Sequence, residues 1–360
     1  MESVYIHIPF CKSICSYCDF CKVLYHGPWI TQYLNALVLE INDKYLQDKI
    51  KTLYIGGGTP SSLQIKDLRY LFEIIKKFDL SELEEFTFEC NLNDINEEML
   101  DLLVANKVNR ISIGIQSFDE KKLKFMERDH SFAEAVEKMQ LLRSKGFDNI
   151  NIDLIYGIPG ETLKDLKKDL DLILKLNPDH ISTYSLIIED NTKIANQGIL
   201  PIAEELDASM YELICDKLSM KKYNHYEISN FAKLGKESKH NLNYWHNNEY
   251  YGFGVGAHGY VHGVRYENTK SLTAYMKGET LLKEEVLSKE DSMYNELMLG
   301  FRLLDGINLK EFFDKYEINL QEAFDLSEVL RDEEIIYSDG YVYINPKYIY
   351  VMNEILIKIL

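Results

Sequence analysis

The sequence predicts an α/β fold, a parallel sheet curled into a partial or full (β/α) barrel, followed by a C-terminal helical or winged-helix-like domain. Three observations predict it. Segments rich in β-branched residues recur roughly every 30 residues with helical patterns between them, which is the signature of a parallel sheet. After about residue 270 this alternation gives way to helices and one short hairpin. The chain of 360 residues, 46% of them hydrophobic, is long enough to bury a sizeable core without staples.

In chain order, strands are expected at VYIHI (4–8), TLYIG (52–56), FTFEC (86–90), RISIGI (110–115), INIDLIY (150–156), ISTYSLI (181–187) and HYEIS (225–229). Between them, SSLQIKDLRYLFEIIKKF (61–78) reads as a helix capped by Ser61 or Ser62. SFAEAVEKMQLLRSKG (131–146) reads as another, ending on Gly146 where a C-cap belongs. Further helices are expected at 288–304, 308–316 and 319–331, then a hairpin EEIIYSDGYVYI turned by Asp339 and Gly340, then a last helix. No repeat or low-complexity linker interrupts the chain. The expected division is 1–235 for the barrel, 236–275 for a connecting segment, and 276–360 for the C-terminal domain.

Charge and composition exclude several classes. A formal net charge of −18 argues against a general phosphate-backbone binder, so no nucleic-acid partner is expected, and the winged-helix-like end is read as a packing or gating element. No run approaches the length of a spanning helix, so membrane contact is expected to be peripheral at most. Six cysteines in a chain whose start, MESVYIHIPF, runs straight into a cysteine cluster do not suggest a secreted disulfide framework. The expected compartment is the cytoplasm.

Four of the six cysteines fall within CKSICSYCDFC, residues 11–21. Clustered thiolates in a reducing compartment are usually metal ligands. Cys11, Cys15 and Cys18 form C-x3-C-x2-C in one loop, and three thiolates from one loop can bind three irons of a [4Fe–4S] cube while leaving the fourth open to a non-protein ligand. That is the radical S-adenosylmethionine (SAM) arrangement. With Cys21 added, the run could instead enclose a four-thiolate zinc, so a zinc-stabilised binding module remains open. Cys90 and Cys215 read as ordinary core thiols.

In a barrel, chemistry collects at the C-terminal ends of strands. GGGTP (56–60) follows the second strand, Glu89 ends the third, Gln116 ends the fourth, and Asp153 lies within the fifth. Taken singly, GGGTP is a tight turn into a helix and each carboxylate a satisfied ion pair. Taken as a set on the cysteine-bearing rim, they read as a binding site. The glycines allow close backbone approach, Glu89 can accept ribose hydroxyls or an amine, and Arg128 can hold a carboxylate bidentately.

Together, YIHIPFCKSICSYCDF, IGGGTPS, RISIGIQSFDEKKL, INIDLIYGIPGET, YEISNFAK, HNLNYW and GAHGY resemble the HemW family of radical SAM haem chaperones, relatives of oxygen-independent coproporphyrinogen III oxidase. The match runs in order from residue 4 to about 262. The resemblance implies a cluster on Cys11, Cys15 and Cys18 completed by SAM. It implies Tyr5, Gly57 and Glu89 around a first SAM, and Tyr17, Gly58, Thr59, Gln116, Arg128 and Asp153 around a possible second. It further implies haem as cargo, acceptor haem proteins such as respiratory enzymes, an electron donor of flavodoxin or ferredoxin type, and reductive cleavage of SAM to a 5′-deoxyadenosyl radical.

The oxidase normally has a long extension before its cluster and a further cysteine two positions after the third ligand; here the cluster starts at residue 11 and that position is Phe20. Both differences favour the chaperone branch, in which oxidative decarboxylation of two propionates is not expected, with the oxidase kept as the alternative. His240, in HNLNYW, is the haem-ligand candidate, flanked by Tyr244 and Trp245 as porphyrin-packing aromatics; His7 and His258 are weaker candidates. GFGVGAHG (252–259) lacks the helix and acidic residue of a dinucleotide site and reads as a close-packed glycine turn.

Overall fold

The computed structural model describes residues 1–359. Its strands are β1 (Ser3–Ile8), the short parallel pair β2 (Phe10–Cys11) and β3 (Val23–Leu24), then β4 (Thr52–Gly57), β5 (Glu85–Cys90), β6 (Arg110–Gln116), β7 (Ile150–Tyr156), β8 (His180–Ser185), β9 (Asn224–Glu227), β10 (Asn230–Ala232) and β11 (Tyr251–Phe253). Nine of them form one sheet in the order β11-β1-β4-β5-β6-β7-β8-β10-β9. The pairs from β11 to β8 are parallel; β10 is antiparallel to both β8 and β9. β11 and β9 are the two edges, so the barrel is partial. Its inner face is concave. Tyr54 on β4 and Tyr184 on β8 line one cavity, although a flat sheet would hold strands four places apart at ~19 Å.

Alternation explains which face is which. Val4, Ile6, Ile8, Leu53, Ile55, Phe86, Phe88, Ile111, Ile113, Ile152, Leu154 and Ile181 belong to one large apolar core. The helices Gly27–Lys44, Ile65–Ile75, Glu97–Ala105, Phe132–Ser144, Leu163–Leu176 and Glu204–Met220 contribute buried faces to that same core. The intervening strand residues point the other way and are polar. Tyr5, His7, Tyr54, Glu85, Thr87, Glu89, Arg110, Ser112, Asn151, Asp153, His180 and Ser182 face inward, many bonded to one another as in Asn151 Nδ2 to Ser112 Oγ at 2.8 Å and His180 Nδ1 to Asn151 Oδ1 at 2.7 Å. A polar inner face of this kind is built to hold ligands rather than to pack.

The helix at 131–146 forms as Phe132–Ser144 with a Ser131–Glu134 capping box, and Gly146 follows it at φ +91°. The 61–78 expectation needs correction. A 3-10 turn spans Pro60–Ser62 and the α-helix is Ile65–Ile75 with Gln64 at its N-cap. Ser61 instead donates to Asp94 at 3.0 Å, and Ser62 donates to the Phe10 carbonyl at 2.9 Å. These hydroxyls hold the cysteine loop's base rather than a helix end.

Beyond the sheet, β12 (His258–Val261), β13 (Val264–Asn268) and β14 (Leu281–Val286) form a separate antiparallel sheet. A second apolar core follows, built from residues such as Leu297, Phe301, Phe312, Val329, Val342 and Ile355. It holds the helices Lys289–Gly300 and Leu309–Tyr316 and the strands β15 (Ile307–Asn308), β16 (Ile335–Ser338) and β17 (Tyr341–Ile344), in the order β15-β17-β16. The β16–β17 turn places Asp339 at φ 52° and Gly340 at φ 84°, as a tight DG hairpin turn requires. The expected 319–331 helix is two short ones, Leu320–Ala323 and Ser327–Arg331. Backbone bonds from Ile228 N–H to the Arg302 carbonyl (3.0 Å) and from Leu304 N–H to the Tyr226 carbonyl (3.1 Å) tie this body to the sheet edge. No described helix is long and apolar enough to cross a membrane.

Candidate functional site

A cavity of about 390 Å³ opens at the C-terminal ends of the parallel strands. Cys11, Cys15 and Cys18 line it, together with Tyr17, Gly57, Gly58, Thr59, Glu89, Gln116, Arg128 and Asp153. The loop that carries the cysteines is fixed from outside itself. Ser16 Oγ donates to the Phe125 carbonyl at 2.6 Å, and the Ser16 carbonyl accepts from Ile194 N–H at 3.2 Å. Thr59 Oγ1 donates to Cys11 Sγ at 3.4 Å. Gly58 is required by space, since a Cβ there would lie 2.8 Å from the Pro9 carbonyl and 2.9 Å from Cys11 Sγ.

The cysteines are free thiols. Burial pushes Cys11 up to about 11, with Thr59's bond pulling against it, and burial also raises Cys18. Such thiols become ligands only when a metal displaces their protons. Three soft sulfur donors on one loop facing a roomy cavity suit iron–sulfur chemistry. Among the described residues, no three or more His, Cys, Asp or Glu side chains are grouped to hold one metal ion. Cys21 does not line the cavity. Its thiol donates to the Lys270 carbonyl at 3.6 Å, and a Cβ on Gly256 would meet the Cys21 Cβ at 2.7 Å.

Glu89 accepts from Tyr54 Oη at 2.7 Å and from Gly57 N–H at 3.1 Å. Burial, helped by Asp153, raises its carboxyl to about 7 against the pull of those bonds. Asp153 is raised by burial as well and accepts from Asn151 Nδ2 at 2.7 Å. Arg128 donates to the Gly114 carbonyl at 2.6 Å, yet its Nε is buried without a partner, as is Gln116 Oε1. Gln116 also holds a left-handed backbone at φ 67°, a strained conformation of the kind that collects at binding sites. Unpaired buried donors and acceptors on one wall are the complement of a polar ligand.

Four residues named from the sequence lie elsewhere. Tyr5 is on the inner face but does not line the cavity; its ring is 6.0 Å from that of Tyr54, and its hydroxyl lies 3.0 Å from His7 Nδ1. His240 sits on the helix Lys239–Trp245, 1% exposed, with Nδ1 at 2.8 Å from Thr52 Oγ1 and Nε2 at 2.7 Å from Tyr244 Oη. Both ring nitrogens are already bonded. His7 is buried with Nε2 against the Cys21 carbonyl at 2.7 Å, while His258 is exposed, 3.8 Å from Glu267. Sequence reasoning missed Tyr54, Cys90, Ser112 and Tyr184 on the cavity wall. The signal was present, since Tyr54 lies two residues before Gly56, and period-two counting puts it on the ligand face.

Comparison with known proteins gives a consistent picture. The family model of the Radical SAM superfamily matches residues 5–173, and that of the HemN C-terminal domain matches residues 287–349. The Heme chaperone HemW of Lactococcus lactis subsp. lactis (strain IL1403) is 42% identical over 348 residues, covering 94% of this chain and 91% of that protein. The Heme chaperone HemW of Bacillus subtilis (strain 168) is 38% identical, covering 98% and 96%, and that of Escherichia coli (strain K12) is 35% identical, covering 86% and 85%. Among solved structures, coproporphyrinogen III oxidase (HemN) from Escherichia coli, described as a radical SAM enzyme, superposes with a TM-score of 0.87 at 21% identity, covering 99% of this chain and 89% of that one. That likeness extends through the C-terminal body and is one of fold.

Proposed function

Because this chain belongs to the HemW heme chaperone family within the radical SAM superfamily, we propose that it binds haem and passes it to acceptor haem proteins such as respiratory enzymes. Membership implies a [4Fe–4S] cluster and SAM. The observation that carries their placement is the single cavity shared by Cys11, Cys15, Cys18, Glu89, Arg128 and Asp153. In this reading the three thiolates hold the cluster and SAM completes it. Glu89 takes the ammonium of a first SAM beside Gly57, with Tyr5 backing the wall through Tyr54. Tyr17, Gly58, Thr59, Gln116, Arg128 and Asp153 form the wall for a second. Arg128, with one face spent on the Gly114 carbonyl, keeps its buried Nε for a carboxylate.

When bound, the cluster supplies the single electron that breaks the C5′–S bond of SAM. The chain's own part is to orient the sulfonium by its ammonium and carboxylate ends and to exclude water by the depth of the concave face. The electron comes from a donor of flavodoxin or ferredoxin type, in the cytoplasm. The division into 1–235, 236–275 and 276–360 belongs to the same proposal, supported by the separate apolar core that begins at Leu297.

The chaperone reading stands above the oxidase reading, since relatives covering most of this chain carry the chaperone name and the likeness to the solved oxidase is one of fold. A zinc-stabilised module would take Cys21 as its fourth thiolate, and Cys21 lies outside the cavity that the other three cysteines line, on the Lys270 carbonyl. The deciding experiment is anaerobic. The protein is reconstituted with iron and sulfide and given SAM, a strong reductant and coproporphyrinogen III, then separately titrated with haem. Haem binding with the tetrapyrrole mass unchanged supports the proposal; loss of two carboxyl groups per tetrapyrrole makes the chain an oxidase, and stoichiometric zinc without sulfide removes both radical SAM readings.

A further inference from the structure

We propose that the haem iron is bound at the surface by His26, against the ring of Trp29 and next to the exposed Leu24, beside the cysteine loop. The inference rests on the haem-carrier reading and identifies the cargo's ligand within it.

A carrier's axial imidazole must offer a free ring nitrogen to a large planar ligand and be able to release it. Sorting the nine histidines by that requirement is informative. His7, His180 and His240 are buried, each with both ring nitrogens at hydrogen-bond distance from a partner. His130 is 6% exposed, with Nε2 at 3.2 Å from the Ser117 carbonyl. His225 is stacked on Phe231 at 4.2 Å, its Nε2 at 3.3 Å from the Ile228 carbonyl. A porphyrin reaches none of these without dismantling the inner face or the sheet edge.

The exposed imidazoles are His26, His246, His258 and His262. Among the described residues, His26 is the one of these that packs on an aromatic ring, its centroid 4.7 Å from that of Trp29 at 54°. It stands at the N-cap of the helix Gly27–Lys44 with an extended backbone, and its side chain makes no capping bond, so the ring is not spent on the helix. Leu24, two residues earlier on β3, is 58% exposed, Trp29 is 40% exposed and Phe20 is 64% exposed. An exposed aromatic ring packed on an exposed imidazole, with an exposed leucine two residues before it, is apolar surface left open for a ligand.

The occupant follows from the chemistry. A free imidazole beside an indole face and aliphatic surface fits an apolar planar ring with a Lewis-acidic centre, which is what an iron porphyrin presents. Of the loop's two lysines, Lys12 is paired with Asp94, and Lys22, whose ammonium also donates to the Cys18 carbonyl, is left as the cation for a propionate. Leu24 pairs with Cys11, which lines the cavity, so His26 and Trp29 lie beside the mouth of the proposed SAM site. Cargo held there lies against the cysteine loop and still faces solvent, where an acceptor can take it. The ligation itself is a lone-pair donation from a ring nitrogen of His26 to iron, with no change of oxidation state.

The test is a titration of the full-length protein, with and without its cluster, using ferric haem as the probe and the Soret band and electron paramagnetic resonance spectrum as readouts. His26→Ala is expected to lose the imidazole-ligated spectrum and to bind roughly tenfold more weakly or worse, while melting like the wild type because its ring bonds nothing. Trp29→Leu is expected to weaken binding while keeping the ligation spectrum. His26→Ala that binds with wild-type affinity and spectrum overturns the site and leaves the haem-carrier reading intact. A wild-type chain that leaves the haem spectrum unchanged overturns both.

Discussion

The Tyr54 hydroxyl and the Glu89 carboxylate face each other across adjacent parallel strands, 2.7 Å apart, with the Gly57 amide on the carboxylate's other oxygen at 3.1 Å. This arrangement holds an acidic group in a buried wall without giving it a cation. Its two donors favour the ionised form, yet burial and the nearby Asp153 outweigh them and the proton is kept up to about pH 7. Glu89 is thus a carboxyl that a cationic partner would ionise.

A pH dependence follows. In the unfolded chain Glu89 loses its proton near pH 4.3, so between roughly that value and 7 the folded chain binds more protons than the unfolded one, and stability falls as pH rises through the window. The ligand-free wild type should lose up to ~3 kcal/mol across it from this group, and Glu89→Gln should show a flatter profile. SAM affinity should change in the opposite sense, rising as pH climbs through the window because its ammonium selects the ionised carboxylate. Calorimetric titrations of wild type and Glu89→Gln at pH 6 and pH 8 check this; equal pH slopes in the two proteins would remove Glu89 from the ammonium site.

The cysteines divide three to one. Cys21 lies against Gly256 and the Lys270 carbonyl rather than on the cavity. Single Cys11→Ala, Cys15→Ala and Cys18→Ala variants should each lose bound iron and sulfide after anaerobic reconstitution, and Cys21→Ala should retain the wild-type content. Iron loss in Cys21→Ala equal to that in the other three would make it a ligand.

The strand cores and the cysteine loop were legible because both are strong periodic or compositional signals. The edge strand β11 and the penultimate strand β10 were not. β10 and β11 are three residues each, β11 contains Gly252, and such short ladders carry no alternation to read. Gly252 is there because a Cβ would fall 1.7 Å from the His258 carbonyl, a constraint set by tertiary contact. Ser61 and Ser62 looked like helix caps because local sequence cannot show that Asp94 and the Phe10 carbonyl claim their hydroxyls. The HNLNYW motif points to His240, but a motif cannot say which bonds a ring already makes, here to Thr52 and Tyr244.

Lys122 supports the site from behind. Its buried ammonium pairs with Glu161 and Asp169, and Asp169 also accepts from Ser117 Oγ at 2.6 Å and Phe118 N–H at 2.8 Å. That anchors the chain immediately after the strained Gln116. Lys122→Met should cost about 3–5 kcal/mol in urea unfolding, because it strands two buried carboxylates. The loss should be greater at high pH than at low, where protonation relieves them. A cost below about 1 kcal/mol would show that the pairing does not hold this turn.

His240 is expected to matter for the fold rather than for iron. Its helix is fastened to the inner face by Glu85, which accepts from Lys239 N–H at 3.0 Å and His240 N–H at 3.1 Å, and by the ring's own bonds to Thr52 and Tyr244. Burial, then Arg110, lowers the imidazole to about 3, so the folded chain holds it neutral. Between that value and roughly 6.5 the unfolded chain binds the extra proton, so stability from this group is full above the window and is lost as pH falls through it. His240→Ala should cost about 2–4 kcal/mol at neutral pH, from the void and from the Tyr244 hydroxyl left without a partner, and should lose part of the acid sensitivity. Its haem titration, performed below its own melting temperature, should match the wild type in band position and affinity. A variant that unfolds like the wild type but no longer shifts the haem spectrum would place the ligand at His240 and require Tyr244 to swing away on binding.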